Sequence, residues 1–121
     1  MKFIFFVFTM ILFTACSANS TQDEPFITGV VVQKNESTVL VVEGIEFHGE
    51  IDQEEWYSHD AVSFSVSENT EVVHANNSAL AYHEVREGDK VEVWQRGGVK
   101  ESYPLQTDAR KIRVIEDYAI N

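Results

Sequence analysis

The acidic stretch between residues 43 and 60 contains both histidine and carboxylate side chains. His59 and Asp60 are adjacent, and Glu54 and Glu55 lie a few positions before them. Imidazole nitrogens and carboxylate oxygens are ligands that divalent metals accept. The spacing matches no standard metal motif, and adjacent residues on a strand point to opposite faces. These four residues are therefore candidates for a metal site, but a solvated acidic surface is the simpler interpretation.

Ser102 is a candidate nucleophile within the segment Glu101-Ser102-Tyr103-Pro104. A nucleophile elbow needs flanking glycines, which this serine lacks. No histidine and acid can be assigned to it as a triad from the sequence. We therefore predict no catalytic residue, no cofactor and no enzymatic activity, and an envelope hydrolase is the least favoured function. Pro104 instead indicates the end of a strand, because proline has no N–H to donate.

Aromatic side chains offer a second kind of chemistry, which is stacking on a ligand. Trp56, Tyr57, Trp94 and Tyr103 could form an aromatic binding surface of the kind on which small barrels hold bases or sugars. Trp94 alternates with the valines of its predicted strand, so we expect its side chain to be partly exposed. The candidate contact surface is therefore Trp94, Tyr103 and Trp56, with packing over the end of the barrel as the alternative for Trp94.

The single cysteine, Cys16, ends an apolar N-terminal segment. One positive charge, an apolar run of about a dozen residues and then small residues follow the order of a secretory signal peptide. The run is shorter than the roughly 20 residues that span a membrane. Polar residues after the cysteine indicate a flexible tether. We predict a signal peptide over residues 1–15, a lipidated cysteine and tether over 16–25, and one domain over 26–121.

The segment Phe13-Thr14-Ala15-Cys16 resembles the lipobox of bacterial lipoproteins. The small Ala15 and the cysteine match, whereas Phe13 stands where that pattern usually has leucine. The resemblance implies a diacylglycerol lipid on Cys16, and two acyl chains suffice for stable attachment to a membrane. We therefore expect an exported protein of a Gram-positive-type bacterium, lipid-anchored to the outer face of the cytoplasmic membrane. Secretion without lipid is the alternative.

The segments that must position these residues are mainly short strands. Apolar runs and alternating patterns predict strands at 26–33, 38–42, 61–66, 70–74, 90–95, 99–102 and 111–116. Gly97 and Gly98 favour a hairpin turn, and Gly29 suggests a bulge or bend in the first strand. Helical turns are predicted near residues 52–57, 79–85 and 105–110.

This pattern predicts a mostly β fold with one or two short helices. Five to seven short strands at this spacing suit a small antiparallel barrel of five or six strands, like the oligonucleotide/oligosaccharide-binding (OB) barrel. A closed barrel removes the exposed edges that a small sheet must otherwise protect. A β-sandwich is the alternative.

The last third of the chain contains four notable segments, which are 85–94 (VREGDKVEVW), 97–98 (GG), 99–106 (VKESYPLQ) and 109–112 (ARKI). With 29–31 and 39–42 near the start, they resemble the YobA-like family of small Gram-positive lipoproteins and secreted proteins. The likeness spans roughly residues 27–116. It implies export and a barrel domain of unknown function, and it implies no site residue.

The formal net charge of −11 narrows the range of partners. It opposes binding to phosphate backbones, so we expect no nucleic-acid partner, and it opposes binding to anionic lipid headgroups. We predict a non-enzymatic binding or interaction module, held at the membrane by the lipid on Cys16, that contacts an exported protein, a peptide or a cell-wall fragment. The alternative is a divalent-metal or cation binder that uses the acidic and histidine segment 43–60.

Overall fold

The structure is a computed structural model that describes residues 23–49 and 53–118. Its strands are β1 (Ile27–Lys34), β2 (Thr38–Val42), β3 (Ala61–Ser65), β4 (Glu71–His74), β5 (Lys90–Lys100) and β6 (Leu105–Glu116). A short helix, α1 (Gln53–Trp56), precedes β3, and a 3-10 turn spans Tyr82–Glu84. The predicted signal peptide, Cys16 and most of the tether lie outside the described residues. Within those residues, no helix has the length and apolar character to cross a membrane.

Five of the strands close into a barrel. The order around it is β1-β2-β3-β6-β5, with β5 paired back to β1 and β4 attached to β6 as an extra strand. The β3–β6 pairing is parallel, with Val62 opposite Leu105, while the other pairings around the barrel are antiparallel. The predicted OB-like barrel is confirmed, although the parallel β3–β6 pairing makes it mixed rather than wholly antiparallel. The β-sandwich alternative is wrong.

Strands β1 and β2 are apolar on both faces, which explains their nearly unbroken runs of valine. On the inner face, Val31 and Val41 pack with Phe64 in the barrel core. On the outer face, Val42 and its neighbours pack under Trp56 of α1. The short helix is therefore positioned by a second, smaller apolar cluster outside the barrel.

Gly29 of β1 lies against the backbone of the chain that leaves β2. A Cβ at this position would lie 2.7 Å from the carbonyl carbon of Val42 and 3.1 Å from Cα of Glu43. Backbone atoms cannot move aside as a flexible side chain can, so this close approach requires glycine. The predicted bulge occurs further along β1, where the pairing with β2 shifts between Val31 and Gln33.

The β5–β6 hairpin differs from the prediction. Strand β5 runs through Gly97 and Gly98, and the turn spans residues 101–104. The register jumps between Arg96, opposite Asp108, and Lys100, opposite Gln106, so β5 bulges at the glycines. The φ angle of +78° at Gly97 fits that bulge. The predicted turn at 97–98 and the separate strand at 99–102 are therefore wrong.

Two predicted helical segments also differ. Residues 105–110 belong to β6, where Thr107 and Ala109 are buried. Because β6 pairs with β3, β4 and β5, its ladder bonds outweigh the local preference of these residues. Within 79–85, only Tyr82–Glu84 is helical, while Ala79 forms an isolated bridge with Val73.

Candidate functional site

Trp56, Tyr57 and Tyr103 form an aromatic cluster on the outer side of the barrel. The ring centroids of Tyr57 and Tyr103 lie 5.3 Å apart, and Trp56 lies 6.3 Å from Tyr57 and 6.0 Å from Tyr103. The side chain of Trp56 is buried, but Tyr57 and Tyr103 are 57% and 46% exposed. The structure therefore brings together two of the three predicted contact residues, Trp56 and Tyr103, and adds Tyr57 to them.

Hydrogen bonds hold Tyr103 in this position. Its single O–H proton is shared between the carbonyl oxygens of His59, at 2.6 Å, and Trp56, at 3.0 Å, which both accept it. These bonds tie the β5–β6 turn to the end of α1. Desolvation raises the pKa of Tyr103 above its ordinary value of 10.0, and the nearby Tyr57 and Asp60 raise it further. The hydroxyl therefore keeps the proton that it donates at neutral pH.

Tyr103→Phe separates this hydroxyl from the ring that carries it. We expect the free energy of unfolding to fall by about 1 kcal/mol at pH 7, because both carbonyl contacts are lost. The contribution of the hydroxyl is present below pH 10.0 and is lost as the pH rises through the raised pKa of the folded state. Urea denaturation at neutral and alkaline pH measures both effects. Equal stability of the two proteins at pH 7 would show that the hydroxyl does not hold the turn.

A groove of 570 Å³ opens beside the cluster, over the outer face of β1, β2 and β3; we call it the Trp56 groove. Its lining residues are Val32, Gln33, Lys34, Asn35, Thr38, Leu40, Trp56, Ser63 and Pro104. Val32, Leu40 and Trp56 belong to the outer apolar cluster. The polar members come from the ends of β1 and β2, from the turn between them and from the middle of β3. Pro104 belongs to the β5–β6 turn, which also carries Tyr103. The groove thus lies between two turns of the barrel.

Trp94, the third predicted contact residue, lies elsewhere. It is 7% exposed, so the partial exposure expected from alternation is wrong. Its Nε1 donates to the carbonyl oxygen of Asp23 at 2.8 Å, and Lys111 and Arg113 lie over its ring at 5.1 and 5.5 Å. The ring does face outward from β5, but the segment that leads into β1 covers it.

The candidate metal ligands do not assemble among the described residues. Glu54, Glu55 and Asp60 are exposed and His59 is half-buried. Across residues 23–49 and 53–118, no three side chains from histidine, cysteine, aspartate and glutamate converge as a metal site. The contribution of His59 to the aromatic cluster comes from its backbone carbonyl, which accepts the Tyr103 hydroxyl.

Ser102, the candidate nucleophile, stabilises a turn. Its Oγ donates to the carbonyl oxygen of Pro104 at 2.6 Å and accepts from Nε2 of Gln106 at 3.4 Å. Neither partner is a base that could take the proton of the hydroxyl. The local geometry therefore matches a turn serine in the hairpin that carries Tyr103.

Sequence reasoning missed the polar side of the groove. Gln33, Asn35 and Thr38 are ordinary residues for a hairpin, and nothing in their types distinguishes a groove from a solvated turn. Ser63 carried a partial signal, because the alternation in β3 placed it opposite the buried Val62 and Phe64. That signal gives the direction of the side chain but not what lies beside it.

Comparison with known proteins gives a family and no activity. No curated protein matches the chain, and no solved structure matches it. A family model described as "protein of unknown function" matches residues 28–116, which run from β1 to the end of β6 and include the cluster and the groove. The chain therefore belongs to this family, DUF3221, as a domain of unknown function.

Proposed function

We propose that this DUF3221 chain is a non-enzymatic binding module, a YobA-like lipoprotein displayed on the outer face of the cytoplasmic membrane by lipid on Cys16. The observation that carries the proposal is the Trp56 groove, whose Trp56 ring contacts the exposed rings of Tyr57 and Tyr103. Tyrosine and tryptophan supply contact area at a small cost in conformational entropy. OB barrels bind ligands on the corresponding face, between the corresponding two turns. This likeness of fold supports a binding role but does not indicate a particular ligand.

The N-terminal segment is attached to the barrel on the side opposite the groove, which supports an orientation in which the groove faces away from the membrane. Asp23 accepts a hydrogen bond from Trp94 of β5, and its carboxylate pairs with Arg110 of β6 at 2.8 Å. In the five-stranded closure, β5 and β6 stand opposite β2, so this attachment lies across the barrel from the groove.

The length of the tether limits how far the domain extends from a lipid anchor. Asp23 comes seven positions after Cys16. The chain between them reaches at most about 25 Å when fully extended. A lipid on Cys16 would therefore keep the β5–β6 side of the barrel toward the membrane. The groove would face outward, where an exported protein, a peptide or a cell-wall fragment can reach it.

Crosslinking in living cells followed by affinity capture tests the proposal. The variant Tyr57→Ala removes an exposed ring from the cluster. Tyr118→Ala is the matched control, because Tyr118 is also exposed, at 40%, but packs on Phe47 away from the groove. We expect one reproducible crosslinked product that survives in Tyr118→Ala, falls about tenfold in Tyr57→Ala and disappears in Cys16→Ser.

Each arm of this experiment has a contradicting outcome. A product that is equally abundant in Tyr57→Ala and in the wild type would refute the cluster as the contact surface. A product that persists in Cys16→Ser would refute the need for the lipid anchor. Fractionation of cells that express Cys16→Ser checks the anchor independently, because we expect the variant to leave the membrane fraction.

A further inference from the structure

Charge distinguishes the Trp56 groove from three other grooves of the described surface. Three others are lined by carboxylates, namely Glu46 and Glu116 in one, Glu84 and Asp117 in another, and Glu43 and Asp60 in the third. The described residues that line the Trp56 groove include none, although the chain contains 20 acidic residues. Its single charged lining residue is Lys34, whose Nζ lies 4.2 Å from the centroid of the Tyr82 ring. The described lining therefore carries no negative charge in a strongly acidic protein, and its one positive charge lies over an aromatic ring.

We propose that the Trp56 groove binds a neutral oligosaccharide. The inference rests on the proposed binding function and names the ligand class of the same site. Sugar rings have flat C–H faces that stack on aromatic side chains. Trp56 lines the groove, and the exposed rings of Tyr57 and Tyr103 contact its ring. Sugar hydroxyls need neutral donors and acceptors, and Gln33, Thr38 and Ser63 supply amide and hydroxyl groups within the groove.

Other ligand classes fit this chemistry less well. A cationic ligand would find no carboxylate among the described lining residues, although carboxylates line other grooves of the protein. An anionic polymer would meet a chain of net charge −11, and Lys34, the one cation of the described lining, already lies over the Tyr82 ring. A wholly apolar ligand would form no hydrogen bond with the Gln33 amide or the Ser63 hydroxyl of the lining. A neutral ligand with both apolar faces and hydroxyls fits the apolar residues and the uncharged polar residues of the lining.

The two tryptophans of the chain allow a direct test by fluorescence. Trp56 lines the groove, and Trp94 lies on the opposite side of the barrel. In the full-length variant Trp94→Phe, the emission therefore reports on the groove alone. The probes are three neutral tetrasaccharides, which are chitotetraose, cellotetraose and maltotetraose. Two charged ones, cationic tetraglucosamine and anionic tetragalacturonate, test the ligand class.

We expect a saturable change in Trp56 emission with at least one neutral tetrasaccharide and a weaker response to both charged ones. Adding Tyr57→Ala to this protein should raise the dissociation constant about tenfold, whereas adding Tyr118→Ala should leave it unchanged. Isothermal titration calorimetry of the wild-type chain and the single variants gives the same comparison if Trp94→Phe does not fold.

Two results would overturn the proposal in different ways. Tighter binding of a charged tetrasaccharide would refute the neutral ligand class. No response to any neutral tetrasaccharide at millimolar concentration would refute a glycan ligand. In either case, the cellular crosslinking experiment decides separately whether the protein is a binding module. A crosslinked product that is lost in Tyr57→Ala would still support the binding function, whereas a product that is unaffected by Tyr57→Ala would refute that function as well.

Discussion

Phe64→Ala should lower the free energy of unfolding by about 3–5 kcal/mol, the range for removing a buried phenylalanine from a well-packed core. The Phe64 side chain is fully buried in the barrel core. Its strand, β3, closes the barrel, since Phe64 lies opposite Val39 of β2 on one side and Thr107 of β6 on the other. The barrel cannot collapse around the cavity without disturbing both pairings. Urea denaturation, followed by tryptophan fluorescence, measures the loss.

Phe26 provides the matched control for this substitution. Its ring contacts Phe64 edge to face, with centroids 6.4 Å apart, but it is 37% exposed. We expect Phe26→Ala to cost about 1 kcal/mol, because much of its surface already contacts water in the folded state. A cost for Phe64→Ala no larger than that for Phe26→Ala would contradict the position of the core inside the barrel.

Asp89→Ala is expected to cost about 2–4 kcal/mol, because it leaves two backbone N–H groups without their acceptor. The Asp89 side chain is almost fully buried. Its carboxylate accepts from the N–H of Arg86 at 2.9 Å and from the N–H of Tyr118 at 3.0 Å. It thereby joins the turn before β5 to the segment that follows β6. Chemical denaturation at pH 7 measures the cost, and Asp89→Asn should lose less because its amide oxygen still accepts one bond.

The pH dependence of stability gives a second test of how Asp89 contributes to the fold. Burial raises the pKa of this carboxyl above its ordinary value of 3.8, although the two backbone N–H donors partly oppose the rise. A folded-state pKa above the unfolded value stabilises the fold most below pH 3.8, and this contribution is lost as the pH rises through the folded-state pKa. The wild type should therefore gain stability relative to Asp89→Asn as the pH falls. A difference that is constant across the acid range would refute the raised pKa.

The strands of the first half were predictable because their signals are local. The β1–β2 hairpin follows from two valine-rich runs around a polar turn, and β3 follows from the alternation of Val62 and Phe64 with serines. The second half was less predictable. Gly97 and Gly98 carry a turn signal, but they lie in a bulge because β5 must extend along β6 to complete the hairpin.

The candidate site was predictable in its residue types but not in its assembly. Trp56 and Tyr103 were recognisable as aromatic contact residues. Trp94, however, is also aromatic, and the alternating pattern of its strand favoured exposure equally well. The difference between them is tertiary, since Asp23 covers Trp94, whereas Tyr103 reaches across 44 positions to the carbonyl of His59. The local alternation of apolar and polar residues does not encode contacts between residues so far apart in the chain.

The sequence by itself determined the mostly β character of this protein, its acidic surface and the aromatic residues available for a contact. These properties depend on residue type and on spacings of a few positions. Only the tertiary structure decided that β3 and β6 pair to close the barrel, that Trp56 and Tyr103 meet while Trp94 is covered, and that one groove lacks carboxylates. Those features arise from packing between segments that are far apart in the chain, where the burial of apolar surface selects one arrangement.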